Sequence, residues 1–204
     1  MFLTIEGIDG TGKSTQAEFL SKYIMGKCRR DVVRTKEPGG WEGGAVLREI
    51  VTHGSLEHPW SEAYLFMLDR SEHVAKVIAP AIKAGSDVIC ERYHDSTLAY
   101  QVWGRGLPLN IFDELFIQSK FPVPDIKILL DMPAPDAIKR VKMRGTPDSF
   151  EREGCSFMTR IRSGYLALME REPEKWIKVD SSLAPDAVFQ VICSELKRKG
   201  LLND

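Results

Sequence analysis

The sequence predicts an α/β protein, a parallel sheet flanked by helices on both faces. Three observations carry that prediction. Short apolar runs alternate with segments of helical spacing along all 204 residues. Most of the runs lack a polar alternate face, so both sides of each strand expect cover. The first run, Phe2-Leu3-Thr4-Ile5, leads through a glycine-rich segment, Gly7-Ile8-Asp9-Gly10-Thr11-Gly12-Lys13-Ser14, straight into a helical pattern.

The elements follow in order. Residues 2–5 read as a buried strand and residues 13–25 as the first helix. Gly26-Lys27-Cys28-Arg29-Arg30 reads as a polar turn. Residues 31–35 read as a second short strand, stopped by Pro38, Gly39 and Gly40. Residues 45–51 are helix-like, with Val46, Leu47, Ile50 and Val51 on one side and Arg48 on another. From residue 60 to 84 the apolar residues Ala63, Tyr64, Met67, Leu68, Val74, Val77, Ile78 and Ala81 recur at helical spacing. Pro80 kinks or splits that helix, and Gly85 stops it. Residues 87–90 are a buried strand ending at Glu91-Arg92-Tyr93. Residues 96–101 start a helix that Gly104-Arg105-Gly106 breaks, and residues 109–120 form the next one, ended by Pro122 and Pro124. Residues 126–130 are another buried strand, closing at Asp131, and residues 135–144 are helical. After a loop at 145–148, residues 153–172 form a helix with Phe157, Ile161, Tyr165 and Leu168 on one face. Residues 176–180 are the last strand and 185–199 the last helix, with Pro185 in its first turn.

The glycine-rich segment fits Gly, four free residues, then Gly-Lys-Ser, the P-loop signature of nucleotide-binding α/β folds. Glycines allow the tight path by which backbone N–H groups wrap a phosphate chain. The helix that follows adds unpaired donors and its positive dipole end. Gly7, Ile8, Asp9, Gly10, Thr11, Gly12, Lys13, Ser14 and Thr15 are therefore the expected ATP-phosphate site. Lys13 reaches the β- and γ-phosphates, and the Ser14 hydroxyl ligates Mg²⁺.

In parallel sheets, ligands gather at the carboxyl ends of the strands. Glu91, just past one such end, fits a second Mg²⁺ ligand opposite Ser14; the competing reading is a structural ion pair with an arginine. Arg92 beside it offers a fork suited to a phosphate, against the plainer reading of a surface charge. Phe66 and Arg70 lie four apart on one helix and share a face. Phe66 offers a flat surface for a base and Arg70 hydrogen bonds for a carbonyl edge. Phe66 alone fits core packing at least as well, and its pairing with Arg70 and Gln101 is what points to a base pocket. Arg140 and Arg144 are also four apart, close to Lys139, Lys142 and Arg152 and beside a Gly/Pro loop. This pattern suggests a lid over phosphates, spanning about 140–153. An arginine there would stabilise the spread charge of phosphoryl transfer; the competing reading is a solvated helix face.

Composition narrows the choice of partner. Lys plus Arg number 28 against 29 Asp plus Glu, a net charge of −1, so no global basic field points to a nucleic-acid polymer. An anion site must be built locally. Four scattered cysteines show no CxxC pair and no Cys/His metal spacing, which fits free thiols in a reducing cytosol. No leader pattern and no membrane-length apolar run occur. The expectation is one cytoplasmic domain over residues 1–204, without a membrane partner.

Several blocks together resemble a known family. They are residues 5–15, Thr35-Lys36-Glu37-Pro38-Gly39-Gly40, Leu68-Asp69-Arg70, Glu91-Arg92-Tyr93, Asp95-Ser96-Thr97-Leu98-Ala99-Tyr100-Gln101 and Gly104-Arg105-Gly106-Leu107. In order and spacing they are similar to bacterial-type thymidylate kinases from residue 2 to about 180, the stretch from Ala99 to Gly106 most specifically. The resemblance implies transfer of the γ-phosphoryl of ATP to dTMP, giving dTDP, with Mg²⁺, in a homodimer. It implies that Phe66 stacks on thymine, that Arg70 and Gln101 bond its edge and that Thr97 lines the same pocket. It implies that Tyr100 closes on the deoxyribose and that Asp9 faces the 3′-OH or the acceptor phosphate. Glu37, followed by Pro38, would sit close to that phosphate, and Arg48 and Arg92 would grip it. Arg144, with Arg140 or Arg152, would supply the lid charge. The implied catalytic set is Lys13, Arg92, Arg144 and Asp9.

Three positions depart from the family pattern. Some members carry an arginine in the P-loop after the aspartate, and here that place is Gly10, which sends the search for catalytic charge to the lid. The lid pattern Asp-Arg-aliphatic-Glu reads Asp148-Ser149-Phe150-Glu151, so an expected arginine is Ser149. The usual Asp-Arg-Tyr is Glu91-Arg92-Tyr93. The nearest rivals are a deoxynucleoside kinase, whose acceptor carries no phosphate, and another nucleoside monophosphate kinase. A guanine-nucleotide switch would need Asn-Lys-x-Asp, and neither Asn110 nor Asn203 is followed by lysine.

Overall fold

The computed structural model describes residues 1–54, 56–145, 150 and 153–202, Arg144 through its backbone alone. Five strands form one parallel sheet: β1 (Phe2–Glu6), β2 (Val32–Lys36), β3 (Asp87–Glu91), β4 (Ile126–Asp131) and β5 (Trp176–Asp180). Their order is β2-β3-β1-β4-β5. β1 sits at the centre and is buried along its whole length, with Leu3 and Ile5 fully enclosed. Each such side chain stabilises the fold by roughly 1.5–3 kcal/mol relative to exposure. The register pairs Ile5 with Glu91 and Glu6 with Leu129, so the carboxyl ends of β1, β3 and β4 come out level.

The apolar runs lack a polar face because both faces are covered. On one side, Leu3, Ile5 and Ile128 meet Ala17 and Leu20 of α1 (Lys13–Tyr23) and Ile192 of the C-terminal helix. Between α1 and that last helix come α2 (Gly44–His53), α3 (Pro59–His73), α4 (Ala79–Lys83), α5 (His94–Thr97), α6 (Leu109–Ser119), α7 (Ala134–Arg144) and α8 (Gly154–Arg171), with α9 (Pro185–Arg198) closing the chain. On the opposite side, Phe2, Val88 and Cys90 pack on Val74, Ile78 and Ala81, and Leu129 and Trp176 pack with Phe157, Ile161 and Leu168 of α8. β2 is an edge strand and half exposed, which accounts for its mixed sequence.

Where the helices differ from the expected pattern, the cause is local. Pro80 has no N–H and its ring crowds the carbonyl four residues back. The long helix therefore opens into a π turn over Val74–Ile78, with Ala79 N–H reaching the Val74 carbonyl, before α4 resumes. The expected polar turn at 26–30 is instead a π-helical extension of α1, Ile24–Cys28, ended by Arg29 at φ 52°. One glycine in a helix costs only about 1 kcal/mol, too little to end it at Gly26. A third π turn, Leu98–Gly104, follows α5. It packs tightly on α8, where a Cβ at Gly164 would lie 2.8 Å from the Trp103 side chain. That close approach fixes where Tyr100 and Gln101 stand.

Candidate active site

The loop from residue 7 to 12 leaves the carboxyl end of β1 and starts α1. Its geometry depends on Gly10, which has φ 90°, where a Cβ would stand 2.3 Å from the Ala137 carbonyl oxygen of α7. The backbone of α7 thus leaves no room for a side chain at this position. Thr11 Oγ1 donates to the Ile8 carbonyl at 2.9 Å, and the Ile8 side chain is buried in the core. Lys13 Nζ donates to the carbonyls of Gly7 (3.0 Å) and Ile8 (2.8 Å). Burial, and then the charge of Arg92, bring the Lys13 ammonium down to about 8. Ser14 Oγ donates to Glu91 Oε2 at 2.6 Å. The hydroxyl and carboxylate thus converge, and among the described residues no arginine pairs with Glu91.

These groups line a wide cavity together with Asp9, Gly10, Gly12, Thr15, Lys36, Glu37, Arg48, Arg92 and Arg140. Cations outnumber acids on this wall, so a positive field stands locally in a chain that is nearly neutral overall. Arg140 is tied to the loop after β5, its Nη1 donating to the Ser181 carbonyl at 2.8 Å and its Nη2 to that of Ser182 at 3.2 Å.

A second, narrower pocket adjoins the first. Pro38, Phe66, Arg70, Thr97, Tyr100, Gln101 and Phe150 line it. Arg70 projects from α3 and is 1% exposed. Its Nε and Nη2 donate to Glu37 Oε2 at 2.9 and 2.7 Å, and Nη2 also donates to the Tyr93 carbonyl and to Thr97 Oγ1 at 2.9 and 2.8 Å. Among the described residues its Nη1 has only the Met67 sulfur, at 3.8 Å. The other Glu37 oxygen lies 3.0 Å from His73 Nδ1. Both oxygens of Glu37 are thus engaged at the pocket floor, and the carboxylate acts on Arg70. Gln101 Oε1 is buried without a partner among the described residues. An orphaned acceptor beside a half-free guanidinium edge is a pair of groups still to be satisfied.

Arg92 joins the two pockets. Its Nη2 donates to Asp9 Oδ1 at 2.6 Å and to the Tyr100 hydroxyl at 2.9 Å, and that hydroxyl donates to Asp9 Oδ2 at 2.8 Å. Burial raises the Asp9 carboxyl, but Arg92 and then Lys13 outweigh it and hold the group well below the usual carboxylate range. Arg48 anchors its Nη1 on the Pro38 carbonyl at 3.2 Å. Asp9, Glu37, Arg48 and Arg92 line both pockets.

Most of the residues anticipated from the sequence therefore meet in one crevice. Gly7, Ile8 and Thr11 shape the P-loop from behind and do not line the cavity. Phe66 is half-buried, lining the narrow pocket on one side and packing against the core on the other. Ser149, Arg152 and the side chain of Arg144 lie outside the described residues. Phe150 was not anticipated. Its ring stands 5.5 Å from that of Tyr100 and 6.1 Å from that of Phe66. Its place inside the lid pattern was the signal that pointed to it.

Comparison with known proteins agrees with this geometry. A family model described as thymidylate kinase matches residues 5–192. A thymidylate kinase of Desulfovibrio desulfuricans is 40% identical, the match covering 98% of each chain. A probable thymidylate kinase of Pyrococcus horikoshii is 43% identical over 85% of this chain and 84% of its own. The crystal structure of thymidylate kinase from Ehrlichia chaffeensis superposes with a TM-score of 0.77 at 29% identity, covering 96% of this chain and 98% of that one. With a P-loop on the central strand, a second pocket sharing its wall, and a family match from the first strand to the last helix, the chain belongs to the thymidylate kinase family.

Proposed function

We propose that this chain transfers the γ-phosphoryl group of ATP to dTMP, giving dTDP. The observation that carries the reading is the shared wall: Asp9, Glu37, Arg48 and Arg92 line both the P-loop cavity and the narrow aromatic pocket. Two nucleotides entering from opposite sides would meet there with their phosphates facing.

On the donor side, the P-loop N–H groups and Lys13 hold the β- and γ-phosphates. The Ser14 hydroxyl and Glu91 carboxylate, 2.6 Å apart, form a donor set that fits Mg²⁺. Bound there, Mg²⁺ would neutralise charge on the phosphate oxygens. On the acceptor side, Phe66 stacks on thymine, Arg70 Nη1 and Gln101 bond its edge, and Thr97 lines the pocket. Tyr100 packs on the deoxyribose. Arg48 and Arg92 grip the acceptor phosphate, and two cations there suit an acceptor that already carries one. Asp9 bonds the 3′-OH or sits against the phosphate. An oxygen of that phosphate attacks the γ-phosphorus, the bond to the β-bridging oxygen breaks, and ADP leaves. The protein supplies position and charge more than covalent chemistry. The lid over residues 140–153, with Arg140 and Arg144, adds charge to the transferring group.

The whole chain works as one nucleoside monophosphate kinase domain. Exposed apolar side chains on α2 and α3, Val46, Tyr64 and Leu68, support a homodimer. No helix among the described residues is long and apolar enough to cross a membrane. Four free thiols fit a cytoplasmic setting. The test is a panel of nucleoside monophosphates and thymidine, each offered with ATP and Mg²⁺ while ADP release is followed. dTMP turned over fastest supports the reading; turnover of thymidine without dTMP, or of another monophosphate in preference, refutes it.

A further inference from the structure

Glu6 ends the central strand directly beneath the P-loop, and it is fully buried. Among the described residues no ion pair reaches its carboxylate, and hydrogen bonds hold it. Oε1 accepts the Tyr93 N–H at 2.9 Å, and Oε2 accepts the Ser96 hydroxyl at 2.5 Å. Ser96 Oγ stands 2.7 Å from the Tyr165 hydroxyl, which in turn accepts from Arg92 Nη1 at 3.2 Å. A guanidinium can only donate and an ionised carboxylate can only accept. With Glu6 ionised, as it is above about pH 7, these two ends fix the direction of every hydroxyl between them. Arg92 donates to Tyr165, Tyr165 to Ser96 and Ser96 to Glu6. In a site shielded from water, such an oriented chain is polarised from end to end.

A second observation stands apart from the chain. Arg92 has φ 66°, a left-handed conformation uncommon for a residue with a Cβ. Its N–H donates to the Ile5 carbonyl at 3.0 Å, and the next N–H, that of Tyr93, goes to Glu6. Glu6 therefore holds Arg92 twice, through the turn in its backbone and through its head group. A buried carboxylate without an ion pair is expensive to keep, and this double hold gives the fold a reason to keep it.

We propose that Glu6 is a positioning residue for the reaction, holding the Arg92 guanidinium at the acceptor phosphate through Ser96 and Tyr165. The inference rests on the reading of Arg92 given above. Glu6→Gln keeps the size of the side chain and its acceptor for Tyr93 N–H, but sets an N–H donor against Ser96. The chain must then turn round, and the Tyr165 hydrogen faces the guanidinium. Arg92 Nη1 also donates directly to Ser96 Oγ at 3.3 Å. Tyr165→Phe therefore removes one of two routes, whereas Ser96→Ala breaks both without touching Glu6.

The experiment measures kcat and KM for both substrates in these variants, with Arg92→Ala alongside. Glu6→Gln and Ser96→Ala are each expected to lower kcat/KM for dTMP by about 10- to 100-fold while KM for ATP stays within about twofold, and Tyr165→Phe is expected to fall between them and wild type. The double variant Glu6→Gln/Ser96→Ala should be no worse than the poorer single, because every hydroxyl route from Glu6 to Arg92 passes through Ser96. If Glu6→Gln does not fold, Ser96→Ala carries the same expectation. Wild-type use of dTMP in the folded variants overturns the proposal. So do losses that multiply in the double variant, or a KM for ATP that rises together with that for dTMP. If Arg92→Ala itself spares dTMP turnover, the reading of Arg92 fails first and the chain to Glu6 loses its purpose.

Discussion

On the donor side, Lys13 rests its ammonium on two P-loop carbonyls, and its nearest carboxylate is Asp9 at 3.6 Å. On the acceptor side, Arg70 is bound along one edge by Glu37, Tyr93 and Thr97 and keeps the other edge for the pocket. The contrast follows from what each half must do. In the proposed reaction the donor half holds a phosphate chain common to every ATP-dependent reaction, and backbone N–H groups with a cation suffice. The acceptor half must tell one base from another. Its donors must stand at fixed positions before the ligand arrives, and buried partners hold them there.

Breaking the charge on either side should produce the largest effects. Lys13→Ala removes the donor-side cation and Arg92→Ala the group shared by both halves. Each is expected to lower kcat by about 10³-fold or more, measured as ADP release at saturating substrates. A loss under about tenfold in either would break the idea that positioned charge drives the step.

Gly10→Arg asks whether the arginine of other family members can simply be restored. It forces a Cβ against the Ala137 carbonyl at 2.3 Å and a side chain onto φ 90°. We expect a loss of about 2 kcal/mol or more in stability, read as a Tm lower by about 5 °C, with no gain in rate. A stable, faster variant would show that α7 yields.

The two halves were not equally legible in the sequence. The P-loop is contiguous, and a strand, a glycine turn and a helix start announce it within residues 2–15. The acceptor half is assembled from the end of β2, from α2 and α3, from the end of β3 and from the π turn after α5. Nothing local links Glu37 to Arg70 or Arg48 to Arg92, so only the family resemblance put them in one site. Glu6 was hidden for a related reason. It reads as one more residue at the end of a strand until the register sets β1 beside β3 and Arg92 turns back over it. The helix at 26–28 was missed because the composition of a polar turn resembles that of a helix end. At Gly10 the sequence showed a missing arginine, and the structure shows the α7 backbone that leaves no space for one.

A smaller effect probes the junction between the halves. Burial first, and the Asp95 carboxylate second, push the Glu6 carboxyl up to about 7 from its ordinary 4.5. The folded state thus binds this proton more tightly than the unfolded chain does, and the stability tied to it is lost as pH rises through about 7. Glu6→Gln removes that loss. The Tm of the variant minus that of the wild type should therefore grow between about pH 5.5 and about pH 8. A difference that stays flat would mean that Glu6 does not titrate in this window.

The most direct test of the division between the halves is the dTMP dependence of Arg70→Ala at saturating ATP. If the acceptor half selects and the donor half with Arg92 carries the chemistry, KM for dTMP rises at least about tenfold while kcat stays within about threefold of wild type. An equal fall in kcat and in kcat/KM, with KM unchanged, would contradict the account. It would make Arg70 part of the phosphoryl-transfer machinery and remove the base-reading role from the pocket built around it.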